Sequence, residues 1–216
     1  MSRPGYLDPM ARIATLFPTR LYQARLTGRA GGKLVADLVR ASRSIAADDT
    51  AGQRWSREHA YPGYTSYASL NDLPWRAPEF ADLAKNLDGH AKAFARALDW
   101  DLSGRPLVLD SLWINVLAPG GAHGSHIHPL SVLSGTVYLE IPKGASALKL
   151  EDPRHGLMMA APPRKPKARS NNRSFIEIAP KPGTILMWES WLRHEVPANR
   201  ARSPRVSASF NYRHDT

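Results

Sequence analysis

A mainly β fold of the two-sheet jelly-roll kind (a cupin-like double-stranded β-helix), preceded by helices that cover it, is the class this sequence predicts. From Leu107 onward apolar residues recur at period two, in short runs rich in β-branched and aromatic residues. Eight such runs follow one another between Gly, Pro or Asn punctuation: VLDSLWINVL, HGSHIH, GTVYLEI, ALKLE, FIEIA, GTILMWE, HEVPA and RVSASFNY. Before Leu107 the period is helical instead. The expected organisation is therefore one domain over residues 1–216, with a helix-rich cover over 1–106 and the β core over 107–216.

The helical period is clear in two places. Leu34, Val35, Leu38, Val39 and Ser42 recur at helix spacing between Gly32 and Ala47. After Pro78 the series is Phe80, Leu83, Ala84, Leu87, Ala91, Phe94, Ala95 and Leu98. Between them, Gly52 to Trp75 is rich in Tyr, Ser, Pro and Asn without a period and is expected to be mostly loop. Asp152 to Ser174, with its prolines and clustered bases, is a second expected loop. Its length suits either a lid over a binding mouth, with Arg164, Lys165 and Lys167 able to recruit an acidic substrate, or simple disorder.

Composition narrows the chemistry. A chain of 216 residues supports one substantial core, and 43% apolar with 22% charged residues argues against disordered, collagenous and coiled-coil classes. There is no cysteine, which removes disulfides, thiolate nucleophiles and Cys-containing zinc sites and leaves imidazole and carboxylate as metal donors. The net charge of +10 admits an anionic substrate or a nucleic-acid partner, but the basic residues are spread along the chain, which disfavours a nucleic-acid footprint. No apolar run is long enough for a membrane span, and Asp8 and prolines stand where a signal peptide would be apolar, so a cytoplasmic location is expected.

In the run HGSHIHP, His126 and His128 are two residues apart and share a strand face. His194 opens the seventh run about 65 residues later, and a jelly-roll connection can bring it beside them. Three imidazoles at one mouth suit a first-row metal with open positions. His59, His90, His123, His155 and His214 lack such spacing and are expected to be structural or on the surface, with His123 the first candidate for an exception. Arg205 shares a face with Ser207, Ser209 and Asn211, opposite Val206, Ala208 and Phe210. A buried arginine there would need a carboxylate, which its planar fork can hold in two hydrogen bonds while Ser207 donates another, as a diacid cosubstrate would allow. Trp113, Trp188 and Trp191 are candidates either for the core or for keeping a site dry.

These stretches resemble the 2-oxoglutarate- and iron(II)-dependent oxygenases of bacteria and cyanophages. WINVLAPGG, HIHPLSVLSGTVYLEIP, LEDPR, PKPGTILMWESWLRHEVPAN and RVSASFN carry the resemblance from Leu112 to Asn211, and LFPTRL with GYTSYASLNDL extends it loosely toward the N-terminus. The resemblance implies that His126, His128 and His194 bind Fe(II) and that Arg205 with Ser207 holds the far carboxylate of 2-oxoglutarate. It makes Tyr138, Asn115 and Asn211 second-tier candidates for contacts to cosubstrate or metal-bound water. The wider superfamily has an acidic residue where this chain has His128, so either three histidines hold the iron or His128 stands behind the ligands and water fills its position. The substrate would be a small molecule or a side chain, oxidised most often by hydroxylation. Exposed strands and helices of such folds are compatible with a homodimer.

Two other classes remain open at this level. A cupin-type dioxygenase with three histidines would need no 2-oxoglutarate, and Arg205 discriminates against it. A non-catalytic β-sandwich binding module would use the histidines structurally.

Overall fold

The computed structural model describes residues 10–214, so Asp8 and the neighbouring prolines of the expected non-signal N-terminus lie outside the described residues. In chain order the elements are β1 (Leu21–Arg25), α1 (Gly28–Asp48), α2 (Thr50–Glu58), β2 (Gly63–Thr65), α3 (Leu73–Arg76) and α4 (Pro78–Ala97). Then follow β3 (Leu107–Leu117), β4 (His123–His126), β5 (Leu133–Glu140), β6 (Leu148–Glu151), β7 (Phe175–Ile178), β8 (Thr184–Glu189), β9 (His194–Val196) and β10 (Arg205–His214). Each of the eight runs read after Leu107 forms a strand.

The strands build two antiparallel sheets. The larger runs in the order β1-β8-β5-β10-β3-β2 and the smaller in the order β4-β9-β6-β7. Strand β10 is central in the larger sheet because its alternation serves two environments at once. Val206, Ala208, Phe210 and Tyr212 face the helices, and Arg205, Ser207, Ser209 and Asn211 face the space between the sheets. On the helical side Leu38 of α1 and Phe80, Leu83, Leu87 and Phe94 of α4 join Leu133, Val137 and Phe210 in one core. Each fully buried large apolar side chain contributes roughly 1.5–3 kcal/mol. A second, smaller core of Tyr138, Leu148, Leu150, Leu186, Trp188 and Leu192 lies among residues of both sheets.

The N-terminal part departs from the expected helical cover in two ways. LYQAR forms β1, which pairs with β8, and GYT forms β2, which pairs with β3. The stretch read as mostly loop therefore holds most of α2, an edge strand and a short helix. Both strands are set by pairing with a neighbour rather than by local propensity. Helix α2 is short as well, and its start is fixed by Asp49, whose carboxylate accepts from the Gly52 amide at 2.9 Å, Tyr64 Oη at 2.9 Å and Ser69 Oγ at 2.5 Å. Burial pushes this carboxyl's pKa up, but the hydrogen bonds from Ser69, Gly52 and Tyr64 outweigh it and hold the pKa below the usual value.

Registry sets three transverse rows across the inner face of the larger sheet. Thr65, Asn115, Ser207 and Tyr138 make the first, Trp113, Ser209, Thr136 and Leu186 the second, and Ser111, Asn211, Ser134 and Trp188 the third. Arg205 stands one row further out, opposite Leu117. Gly135 on β5 is the place where the sheet can least tolerate a side chain: a Cβ there would enter the Phe210 ring and the Leu186 carbonyl. Gly135→Ala is expected to cost roughly 1–3 kcal/mol of stability by denaturant unfolding. A loss near zero would mean that β10 is not packed as described.

Candidate active site

His126 and His194 are direct partners in the β4–β9 ladder, and His128 lies two residues beyond the end of β4, held by its amide donating to Ser190 O at 3.0 Å. The pairing and the period-two spacing together bring the three rings to one point. Their centroids are 4.3 Å apart for His126–His194, 5.1 Å for His126–His128 and 5.2 Å for His128–His194. One nitrogen from each ring lies within 4.8 Å of the other two. His194 is buried and His126 is the most exposed.

The tautomers of two rings follow from what they touch. His126 Nδ1 lies 2.7 Å from Gly124 O and His194 Nδ1 lies 2.9 Å from Leu192 O. A carbonyl only accepts, so each Nδ1 carries the proton and donates, leaving the Nε2 lone pair for a metal. Burial depresses the pKa of His194 to about 3, against the raising effect of the Leu192 carbonyl, and depresses that of His128 to about 4, with His126 adding to the shift. Both rings are neutral near pH 7, the form that binds metal. Trp188 packs edge-on against His194 at 4.7 Å and fixes its orientation.

Arg205 is 3% exposed. Its Nη1 donates to Ser146 O at 2.8 Å, its guanidinium carbon lies 5.3 Å from the centre of the Tyr138 ring, and its Nε is buried without a hydrogen-bond partner. Burial lowers its pKa, with Tyr138 and Tyr61 acting the other way, but a guanidinium remains charged. A buried cation with an unmet donor is costly by itself and matches an incoming anion. Beside it, Tyr61 Oη lies 2.7 Å from His123 Nε2 and 3.2 Å from Asn115 Oδ1, which also accepts from Thr65 Oγ1 at 3.0 Å. Burial, then Arg205, then His126 hold the His123 pKa down to about 4.

One cavity of about 710 Å³ joins the histidines to Arg205. Of the residues singled out in the sequence, His126, His128, His194, Arg205, Ser207, Asn115 and Asn211 line it. Asn211 is six residues from Arg205 along β10, about 20 Å, and its Oδ1 accepts from Ser134 Oγ at 2.8 Å. Tyr138 lies outside the lining and backs Arg205. Arg164, Lys165 and Lys167 are exposed, and none of 152–174 lines the cavity. Trp113 and Trp188 line it, while Trp191 is half-exposed and does not. Sequence reasoning missed Trp55, Tyr61, Thr65 and Tyr67, all from the stretch read as loop. Thr65 and Tyr67 fall within the GYTSYASLNDL similarity, to which no role was attached, and Trp55 and Tyr61 precede it. His123, the first candidate for an exception, does line the cavity.

The neutral burial of His123, His128 and His194 sets a pH dependence. Their folded pKa values lie below the ordinary 6.5, so the unfolded chain binds more protons and stability falls as pH drops below about 6.5 toward those values. The melting temperature of metal-free protein is expected to be level above pH 7 and to decline between pH 6.5 and 5, above the ordinary carboxylate range. A level melting temperature down to pH 5 would contradict neutral burial of these rings.

Residues 111–211 match the family described as "Putative 2OG-Fe(II) oxygenase". No curated protein matches the chain by sequence. Among solved structures, the fold is similar to a prolyl-4-hydroxylase from Pseudomonas putida, at 14% identity and TM-score 0.59, covering 92% of this chain and 94% of that one. It is also similar to EctD from S. alaskensis, solved with 2-oxoglutarate and 5-hydroxyectoine, at 19% identity and TM-score 0.59, covering 90% and 72% of the two chains. Against an oxidoreductase of the 2OG-Fe(II) oxygenase family from Burkholderia pseudomallei, at 19% identity and TM-score 0.40, the match covers 52% of this chain and only 47% of that one. The segment matched by that family, residues 111–211, contains the three clustered histidines and Arg205.

Proposed function

We propose that this protein is a non-haem iron(II) dioxygenase that uses dioxygen and 2-oxoglutarate to oxidise a small molecule, acting as one domain from its helical cover through its β core. The observation that carries this reading is a cluster of three imidazoles and a buried, incompletely bonded guanidinium in the same cavity. The donor set fits the metal: neutral imidazole nitrogens suit iron(II), and three of them leave positions open on an octahedral ion. His126, His128 and His194 would hold it, with His128 a direct ligand because its ring is as close to His194 as to His126.

Arg205 receives the far carboxylate of the diacid, with Ser207 donating a further hydrogen bond, and Tyr138 supports the guanidinium from behind. Asn115, Tyr61 and His123 hold one another in the same end of the cavity, and Asn211, at the other end, serves water or substrate near the metal. When bound, iron(II) and 2-oxoglutarate supply the oxidising chemistry, in which the cosubstrate is decarboxylated to succinate and an oxygen atom is delivered to the substrate. The chain itself supplies position and dryness: Trp113 and Trp188 exclude water beside the histidines. A small-molecule substrate is in keeping with EctD, which was solved with 5-hydroxyectoine. No helix of the described residues is long and apolar enough to cross a membrane, and we place the protein in the cytoplasm, the source of both iron(II) and 2-oxoglutarate. A three-histidine dioxygenase that dispenses with 2-oxoglutarate gives Arg205 no ligand, and a purely structural use of the histidines leaves their Nε2 atoms without purpose.

Release of succinate and carbon dioxide from 2-oxoglutarate, with iron(II) and oxygen present, is the expected activity. Arg205→Ala should raise the KM for 2-oxoglutarate by about tenfold to a hundredfold while leaving iron content unchanged, whereas His194→Ala should abolish stoichiometric iron binding. Succinate release that Arg205→Ala leaves unaltered would remove the guanidinium from the cosubstrate site.

A further inference from the structure

Two of the stretches that carry the family resemblance end in residues to which the metal and cosubstrate roles give no part: the PGG that closes WINVLAPGG and the PAN that closes PKPGTILMWESWLRHEVPAN. The structure brings these two ends together. Asn199, 2% exposed, lies in the connection between β9 and β10, and Gly120 and Gly121 lie in the turn between β3 and β4. The Asn199 amide donates to Gly121 O at 2.7 Å, and its carbonyl accepts from the Gly120 amide at 2.7 Å. Its side-chain Nδ2 donates to Leu117 O at 3.1 Å, Ala118 O at 3.3 Å and Ser203 O at 3.4 Å, while its Oδ1 accepts from the Ala201 amide at 3.2 Å. One buried amide side chain thus gives two irregular connections the hydrogen bonds that a sheet gives a strand.

What this clamp adjoins is the pairing of the histidine strands. In the β4–β9 ladder His123 stands opposite Val196 and His126 opposite His194, so β4 advances three residues while β9 advances two. One extra residue is left on β4, as in a β-bulge, and moving it by one position would turn His126 from the cavity side of its strand to the outer side. The end of the ladder beyond His126 is held by the His128 amide, which donates to Ser190 O at 3.0 Å. The other end is the His123–Val196 pair, and just beyond that pair stands the exchange between Gly120, Gly121 and Asn199. The turn is also tightly enclosed there: a Cβ on Gly121 would come within 2.8 Å of Leu117 Cδ1 and 3.0 Å of both Ala118 O and Pro62 Cβ.

We infer that Asn199 is a positioning residue for the metal centre, holding the bulged strand β4 so that His126 stands opposite His194. Its hydrogen bonds go to backbone groups and to none of the three rings, and it lies outside the cavity lining. The inference rests on the assignment of His126, His128 and His194 as metal ligands. Preorganisation is the physical link: rings already held at one point take an ion without further ordering of the strand, whereas ordering a loosened strand subtracts from affinity.

The test uses the full chain free of iron, with cobalt(II) as the probe, read by calorimetry and by the visible bands of the bound ion at a temperature where each variant is folded by circular dichroism. Asn199→Ala is expected to weaken cobalt(II) binding by about tenfold to a hundredfold, the scale seen when residues that support metal ligands are changed, and to alter the visible bands. Tyr212→Phe removes the hydrogen bond from Tyr212 Oη to Asp88 Oδ1, at 2.8 Å, on the helical side of the larger sheet. It is the control for a general loss of stability and should lower the melting temperature while leaving cobalt(II) affinity and bands as they are. Should Asn199→Ala not fold, Gly121→Ala takes its place with the same expectation, since its methyl group displaces the turn that Asn199 holds. Unchanged affinity and bands in the folded variant overturn the inference, as does an equal weakening by Tyr212→Phe. If the unaltered chain binds no cobalt(II), or His194→Ala binds it equally well, the ligand assignment falls and this inference with it; if that assignment holds and Asn199→Ala binds like the unaltered chain, only this inference falls.

Discussion

The site depends on a single alignment between two short strands. His126 on β4 stands opposite His194 on β9, and each strand is only three or four residues long. Because side chains alternate, a slip of one residue would turn one of the two rings away from the cavity. Short strands specify register weakly by themselves, so the alignment is fixed from outside: His128 and Ser190 are joined through the backbone, and Leu150 of β6 pairs with His194 from the other side. The packing of Trp188 on His194 adds a steric stop.

A second dependency is electrostatic. His194 is buried as a neutral base, with its Nδ1 proton given to a backbone carbonyl, while Arg205 is buried as a charge with a donor left over. Both arrangements are unfavourable for an empty protein and favourable for one that holds a cation and a diacid. The larger sheet bears this cost because its other face is a broad apolar contact with α1 and α4, in which Leu38, Phe80, Leu83 and Leu87 are wholly buried. Polar residues on the inner face and apolar residues on the outer face of one strand, β10, are the sequence-level expression of that trade.

The β core was legible because its signal is local. Each run after Leu107 is bounded by turn residues and keeps period two, so strand identity and the sharing of a face by His126 and His128, or by Arg205 and Ser207, follow from spacing alone. The convergence of His194 on that pair is not local; a jelly-roll topology and the family resemblance supplied it. What stayed hidden was the wall contributed by Tyr61, Thr65 and Tyr67. Strand β2 has three residues and exists because Gly63, Tyr64 and Thr65 find Leu117, Val116 and Asn115 beside them. No periodicity can be read from three residues, and the aromatic character of the stretch looked like that of any exposed loop. The basic stretch 152–174 carries no period either, and none of it is part of the cavity lining.

The account stands or falls on where metal and diacid sit relative to one another. An oxygen-free crystal structure of the protein with iron(II) and 2-oxoglutarate measures this directly. It should find iron bonded to His126, His128 and His194 at about 2.0–2.2 Å and the distal carboxylate of the diacid on the Arg205 guanidinium. Iron held away from these rings, or the diacid lying with neither end at Arg205, would contradict it.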